Sequence, residues 1–180
     1  MIRSFVALRL PDDLLDALET LQAELTVGAL VPVENFHVTL AFLGNLPRPV
    51  LEDLHLSLEK VSVKPFEVEI SGLGQFGGRE SRTAHAEVVK TDPLQRLRDK
   101  IHRAAEAIES AVDRRRFHPH VTLSRLKTLL PEDRMSLERW TARHAGFHAG
   151  PSLIESFGLF ESRLTKGGPV YDLLAEYPLR

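Results

Sequence analysis

Hydrophobic positions along the chain switch between two spacings, and the switches predict the elements. Residues 2 to 9 form an apolar run interrupted by Arg3 and closed by Arg9, the pattern of a buried strand. Pro11-Asp12-Asp13 then supplies the proline and acidic residues favoured at a helix start, and Leu14, Leu15, Leu18, Leu21 and Leu25 follow at helical spacing. An apolar stretch from Leu30 to Val33 leads into His37-Val38-Thr39-Leu40-Ala41-Phe42-Leu43, a strand that the turn pair Gly44-Asn45 is expected to end. Leu51, Leu54, Leu58 and Val61 predict a second helix. Phe66, Val68 and Ile70 alternate with Glu67 and Glu69, which is a strand with one wet face.

Gly72, Gly74, Gly77 and Gly78 predict a flexible loop over residues 72 to 83, followed by a strand through Ala84, Ala86 and Val88. Asp92-Pro93 opens the clearest helix, with Leu94, Leu97, Ile101, Ala104, Ala105 and Ile108 on one face. Strand-like residues return from Phe117 to Arg125, and residues 131 to 143 read as a short helix. Two last strands are expected near 152 to 161 and 169 to 176, joined by Thr165-Lys166-Gly167-Gly168. Several strand pairs are linked too tightly for parallel crossovers, so the pattern predicts an α+β fold with mainly antiparallel sheets. No composition shift or Pro/Ser-rich linker divides residues 1 to 180, which reads as one domain.

Composition narrows the function classes. With 43% hydrophobic and 27% charged residues in 180, the chain can bury a core and is not mainly disordered. A net charge of −2 argues against a histone-like polyanion binder but leaves room for a local basic site. The absence of cysteine excludes a disulfide scaffold, a cysteine zinc site and a thiol nucleophile. No segment approaches the roughly eighteen consecutive apolar residues of a membrane span, and the first apolar run is too short for a signal peptide. The expectation is a soluble, cytoplasmic protein, monomeric, with no membrane partner.

The informative feature is that His-Val-Thr-Leu occurs twice, at 37–40 and at 120–123, nearly half the chain apart. In a strand, each histidine and the threonine two residues on face the same way, with Val and Leu facing the other. Each copy therefore sets one imidazole and one hydroxyl on an otherwise apolar strand. If the two strands meet, two imidazoles with an unperturbed pKa of about 6.5 can divide acid and base duties. Such proton transfers contribute about 10²–10⁴ each in rate. The hydroxyls can hydrogen-bond the oxygens of a phosphoryl or tetrahedral centre, and in-line attack at phosphorus needs that arrangement without requiring a cofactor. The pH profile is then expected to be bell-shaped, with limbs near neutrality. Two other readings stand beside this one. Each histidine could be a hydrogen-bonded sheet residue, or His118, His120, His144 and His148 could bind a metal, although neither spacing is secured by a regular helix.

These motifs and their surroundings carry a resemblance. Phe36-His37-Val38-Thr39-Leu40-Ala41-Phe42-Leu43-Gly44 and Phe117-His118-Pro119-His120-Val121-Thr122-Leu123-Ser124-Arg125 resemble the paired H-x-T-x motifs of the two-histidine (2H) phosphoesterases. Within that superfamily they are similar to the LigT-like branch, the RNA 2′,3′-cyclic phosphodiesterases also called 2′-5′ RNA ligases. Arg3 to Pro11 and the tail Glu155 to Leu179, with Ser162, Gly168, Tyr171 and Pro178-Leu179, resemble the same branch. The resemblance implies a bilobal, pseudo-twofold fold in which each lobe gives one H-x-T strand to a central cleft. It implies metal-independent hydrolysis of a 2′,3′-cyclic phosphate to a 2′-phosphate, on RNA ends or cyclic nucleotides, with no cofactor. Carried over by motif, His37 is the proton donor to the leaving 3′ oxygen and His120 the proton acceptor from water. Thr39 and Thr122 hold phosphate oxygens, Arg125 lies near the phosphate and Phe42 stacks on the base. The reverse reaction, 2′-5′ ligation, exchanges the acid and base labels. His85 is a departure, standing where a larger aromatic is expected.

The remaining candidates each have two readings. Phe76, in the glycine-rich segment, either stacks on a base or anchors its loop; Tyr171 either reaches the cleft or packs beside it. Arg114, Arg115 and Arg116 are either a positive rim for RNA or a solvated helix end. His55 and His102 read as surface residues on helices. The segments 72 to 83 and 128 to 150 are expected to shape the cleft mouth. A non-catalytic RNA- or nucleotide-binding module stays open as a rival class, and the two complete His-Thr pairs argue against it.

Overall fold

The computed structural model describes residues 1–77, 83–108, 116–127, 129–166 and 168–180. Its elements are β1 (Ile2–Arg9), α1 (Asp12–Ala23), β2 (Ala29–Leu30), β3 (His37–Leu46), α2 (Arg48–Leu58), β4 (Phe66–Phe76) and β5 (Thr83–Val88). There follow α3 (Asp92–Glu106), β6 (His120–Arg125), α4 (Pro131–Arg143), β7 (His148–Ile154), β8 (Ser156–Thr165) and β9 (Gly168–Pro178). The helices start where the prolines and acids sit. Pro11 precedes α1, Asp12 and Asp13 occupy its first turn, and Pro93 stands in the first turn of α3, where a missing N–H costs nothing and negative charge meets the positive helix end.

The strands form two sheets in the orders β3-β1-β8-β9 and β2-β6-β5-β4-β7, and every strand pair among the described residues is antiparallel. This is the expected α+β, mainly antiparallel arrangement. The order β3-β1-β8-β9 is matched by β6-β5-β4-β7, so the two His-Val-Thr-Leu strands hold equivalent places; β2 adds a short cover to the outer side of β6. Each sheet takes a helix from the other half. α1 leaves β1 yet packs on β7, and α3 leaves β5 yet packs on β3, with α2 against α3. Trp140 of α4 donates its Nε1–H to the Leu21 carbonyl of α1 at 3.3 Å. The buried faces of α1 (Leu14, Leu18, Leu21) and α3 (Leu94, Leu97, Ile101) join one continuous apolar core with strands of both sheets.

Four expectations need correcting. Residues 72–76 are strand, not loop: β4 runs on past Gly72, whose φ of +92° accommodates an irregularity in the pairing with β5. Gly44-Asn45 does not end its strand either. Gly44 takes φ +68° where the β1–β3 register shifts, and pairing continues to Leu46 opposite Ile2; a glycine can absorb a bulge that turn chemistry would read as a stop. The last part of the chain holds three strands, because His148–Ile154 is an edge strand whose Gly150-Pro151 hides its alternation. The segment 128–150 supplies α4 and the start of β7, and α4 packs beside α1 instead of lining the cleft.

Candidate active site

β3 and β6 come side by side across the gap between the sheets, and the period-two alternation of each decides which side chains enter it. Val38 and Leu40, like Val121 and Leu123, are buried in the core. His37, Thr39, His120 and Thr122 line one cleft of about 370 Å³ together with Arg125 and Tyr171. All four residues of the repeated motif are thus brought together.

The two histidines are held the same way. Nδ1 of His37 lies 2.7 Å from the carbonyl of Asn35, and Nδ1 of His120 lies 2.7 Å from the carbonyl of His118. A carbonyl only accepts, so each Nδ1 carries its hydrogen and each Nε2 is the atom free to exchange a proton. Nε2 of His37 sits 3.0 Å from the Thr39 hydroxyl, which donates to it while the ring is neutral. The carbonyls stand two residues before each histidine, an interaction that any residue type could make, so no side-chain pattern announces it.

Each ring also has an aromatic support. Phe5 lies 5.0 Å from His37, and Tyr171 meets His37 edge-on at 5.2 Å and 87°. Around His120, Phe76 stands edge-on at 4.8 Å and His85 is tilted at 5.0 Å, while Phe76 and His85 stack on each other at 4.2 Å. The structure thus uses Phe76 and Tyr171 as ring neighbours of the two histidines. Arg125 donates from Nη2 to the Tyr171 hydroxyl at 2.6 Å, and both line the cleft. Phe42 lines the cleft and is 52% exposed, an apolar ring with its face open.

The electrostatics follow from this enclosure. Burial pushes the His37 imidazole down to about 4, against a smaller opposing effect of the Asn35 carbonyl, with His120 and Arg125 adding repulsion. Burial lowers His120 as well; the His118 carbonyl works against this, and Glu87, opposite it on β5, weakly favours its charged form. No carboxylate is among the described residues lining the cleft, whereas Arg3 and Arg125 are. An entering anion would therefore meet unopposed positive charge and would raise both imidazoles.

Three residues were not assigned to the site from sequence. His85 is buried to 2% exposure, carries an Nδ1 with no hydrogen-bond partner among the described residues, and is pushed down to about 4 by burial. Its place explains Gly74, where a Cβ would stand 2.5 Å from His85 Nε2. His102, expected at the surface, is half-buried: its Nε2 donates to the Leu40 carbonyl at 3.1 Å, and it lines a second cavity beside the cleft. Asn35 donates from Nδ2 to the Pro169 carbonyl at 3.1 Å, joining the turn before β3 to the start of β9. Hydrophobic spacing could not reveal these, because each gains its role from a contact far along the chain. Arg116 lines the second cavity; Arg114, Arg115 and Gly78 lie outside the described residues. The four histidines of the metal reading are not gathered. His118 and His120 face the cleft region, whereas His144 pairs with Glu24 at 3.2 Å and His148 with Glu69 at 2.8 Å.

The family model of the 2′-5′ RNA ligase superfamily matches residues 8–148. An RNA 2′,3′-cyclic phosphodiesterase of Aeropyrum pernix is 32% identical over 151 residues, covering 79% of this chain and 81% of its own. One of Archaeoglobus fulgidus is 28% identical over 175 residues, covering 94% and 96%. Among solved structures, TT0787 of Thermus thermophilus superposes with a TM-score of 0.80 at 27% identity, over 99% of this chain and 98% of that one. E. coli LigT complexed with 3′-AMP shares the fold at a TM-score of 0.78 and 24% identity, over 99% and 98%.

Proposed function

This chain belongs to the 2′-5′ RNA ligase superfamily, and from that premise we propose that it is an RNA 2′,3′-cyclic phosphodiesterase working through His37 and His120. The observation that carries the reading is the meeting of both His-Thr pairs with Arg125 in one cleft. In the proposed reaction His120 Nε2 takes a proton from water as its oxygen attacks phosphorus. The bond from phosphorus to the 3′ oxygen breaks, and that oxygen takes a proton from His37 Nε2. The product is a 2′-phosphate.

His37 must be charged to act so, and the bound phosphate supplies the negative charge that the cleft's own lining lacks. Once Nε2 is protonated it becomes a donor. The Thr39 hydroxyl, no longer donating to the ring, is then free to donate to a phosphate oxygen, as Thr122 does on the other strand. Arg125, held by Tyr171, balances the charge that develops on the equatorial oxygens. Phe42 offers a face to the base. Ligation to a 2′-5′ bond is the same step with the 5′ hydroxyl of a second RNA in place of water and not its reverse: His120 takes that hydroxyl's proton, His37 again protonates the 3′ oxygen, and the expected exchange of acid and base labels does not arise. No helix among the described residues is long and apolar enough to cross a membrane. The same reading takes the enzyme to be cytoplasmic, and monomeric because one chain supplies both histidines.

The test is phosphorus NMR of an RNA fragment ending in a 2′,3′-cyclic phosphate, incubated in excess EDTA. The wild type should yield a 2′-monophosphate, and His37→Ala and His120→Ala should each lose about 10²–10⁴ in rate. Binding without turnover in the wild type would favour the non-catalytic module. Loss of turnover on adding EDTA would favour a metal hydrolase.

A further inference from the structure

A second cavity, of about 590 Å³, adjoins the catalytic cleft and shares Thr39, Phe42 and His120 with it. Its remaining walls include two aromatic rings, Phe76 and Phe117, and two guanidinium groups, Arg98 and Arg116. None of its described lining residues is a carboxylate, in a chain whose net charge is −2. The cavity wall thus gathers two guanidinium groups, with Asp99 beside Arg98 as a nearby counter-charge, in a protein that is slightly negative as a whole, an arrangement suited to an anion.

The cavity is also tied firmly to the catalytic strand. Arg98 is only 15% exposed at its side chain, and its Cζ sits 5.2 Å over the Phe117 ring, beside Asp99 at 3.3 Å. From the same helix His102 donates to the Leu40 carbonyl on β3, between Thr39 and Ala41. Arg98 is thus positioned before any ligand arrives, whereas Arg116 is exposed at the rim.

With the cyclic phosphate between His37 and His120 and the base against Phe42, the ribose has one further exit, its 5′ oxygen. A free cyclic mononucleotide ends there in a hydroxyl. An RNA end carries a phosphodiester there, and Phe42 forms part of both cavities. A volume of this size accommodates such an extension.

We propose that Arg98 and Arg116 form a second phosphate subsite that binds the phosphodiester on the 5′ side of the terminal nucleotide. The proposal rests on the cyclic phosphodiesterase reading for the place of the terminal phosphate. Titration calorimetry of adenosine 2′-phosphate against adenosine 2′,5′-bisphosphate tests binding. Turnover of adenosine 2′,3′-cyclic phosphate with and without a 5′-phosphate tests the reaction. Wild type, Arg116→Ala and Arg3→Ala are compared; Arg3 lines only the catalytic cleft of the two cavities.

A 5′-phosphate should improve Kd and kcat/KM roughly ten- to hundred-fold in the wild type, the effect of hydrogen bonds to a charged group. Arg116→Ala should remove most of that ratio, and Arg3→Ala should leave most of it. A wild-type ratio near one overturns the proposal. So does a ratio that survives Arg116→Ala; its collapse in Arg3→Ala would place the phosphate in the first cleft. Turnover without the ratio sinks the second site and spares the phosphodiesterase reading. An Arg116-dependent binding ratio without turnover sinks the phosphodiesterase reading and spares the site.

Discussion

His37 and His120 are ordinary imidazoles made poor bases by their surroundings. With His37 held at about 4 and His120 below its usual 6.5, both are neutral in the free enzyme at pH 7. Catalysis with one charged and one neutral histidine then draws on a form of the free enzyme that declines as pH rises. The upper limb of kcat/KM should lie below pH 6.5, more acidic than unperturbed histidines would place it. A bound phosphodiester anion favours the imidazolium, so the upper limb of kcat should lie at higher pH than that of kcat/KM. Rates measured from pH 4 to 9 with chemistry limiting would check both limbs; coincident limbs above pH 7 would refute the account. The histidine and threonine identities were readable because chemistry needs those residue types two apart on a strand. The acidic displacement was not, because burial and the lack of a lining carboxylate are properties of the assembled cleft.

At the scale of elements, the second catalytic strand is secured by polar groups that the apolar pattern conceals. Gln22 of α1 is 7% exposed, and its Nε2 donates to the Val31 carbonyl at 2.8 Å and to the Leu123 carbonyl at 2.7 Å. Ser124, fully buried, donates to the Val27 carbonyl at 2.7 Å. Together they fasten α1 and the segment through β2 to β6, within two residues of Thr122. Gln22→Leu keeps the volume but leaves two buried carbonyls without that donor. It should cost about 1–3 kcal/mol in urea unfolding, with a loss of kcat as β6 loosens; unchanged stability would show that water or other donors replace it. The helices were readable from leucine spacing and Pro-Asp starts. The strand from 72 to 76 was not, because Gly72 and Gly74 have the composition of a loop while serving a bulge and the close approach of His85.

For the molecule as a whole, the enclosed histidines couple folding to pH. His37 and His85 both stand at about 4 in the folded protein against an unperturbed 6.5, so the unfolded chain binds more protons between these values. Their contribution is fully present above pH 6.5 and is lost as pH falls through about 4. The midpoint of urea unfolding should therefore drop steeply between pH 6.5 and 4. In His85→Phe, whose ring keeps the stack on Phe76 and cannot take a proton, the drop should be shallower; an equal slope would remove His85 from the cause. The repeated His-Val-Thr-Leu, with its alternation and its core-facing Val and Leu, determined by itself which side chains face together and which chemistry they suit, since two-residue periodicity is a local property of strands. The meeting of the copies in one cleft, the carbonyls that fix their tautomers, the placement of Tyr171 on Arg125 and of His85 behind His120, and the basic cavity beside them were decided only by tertiary structure. Each depends on segments far apart in sequence being brought together by the burial of a shared core, and local spacing carries no record of that.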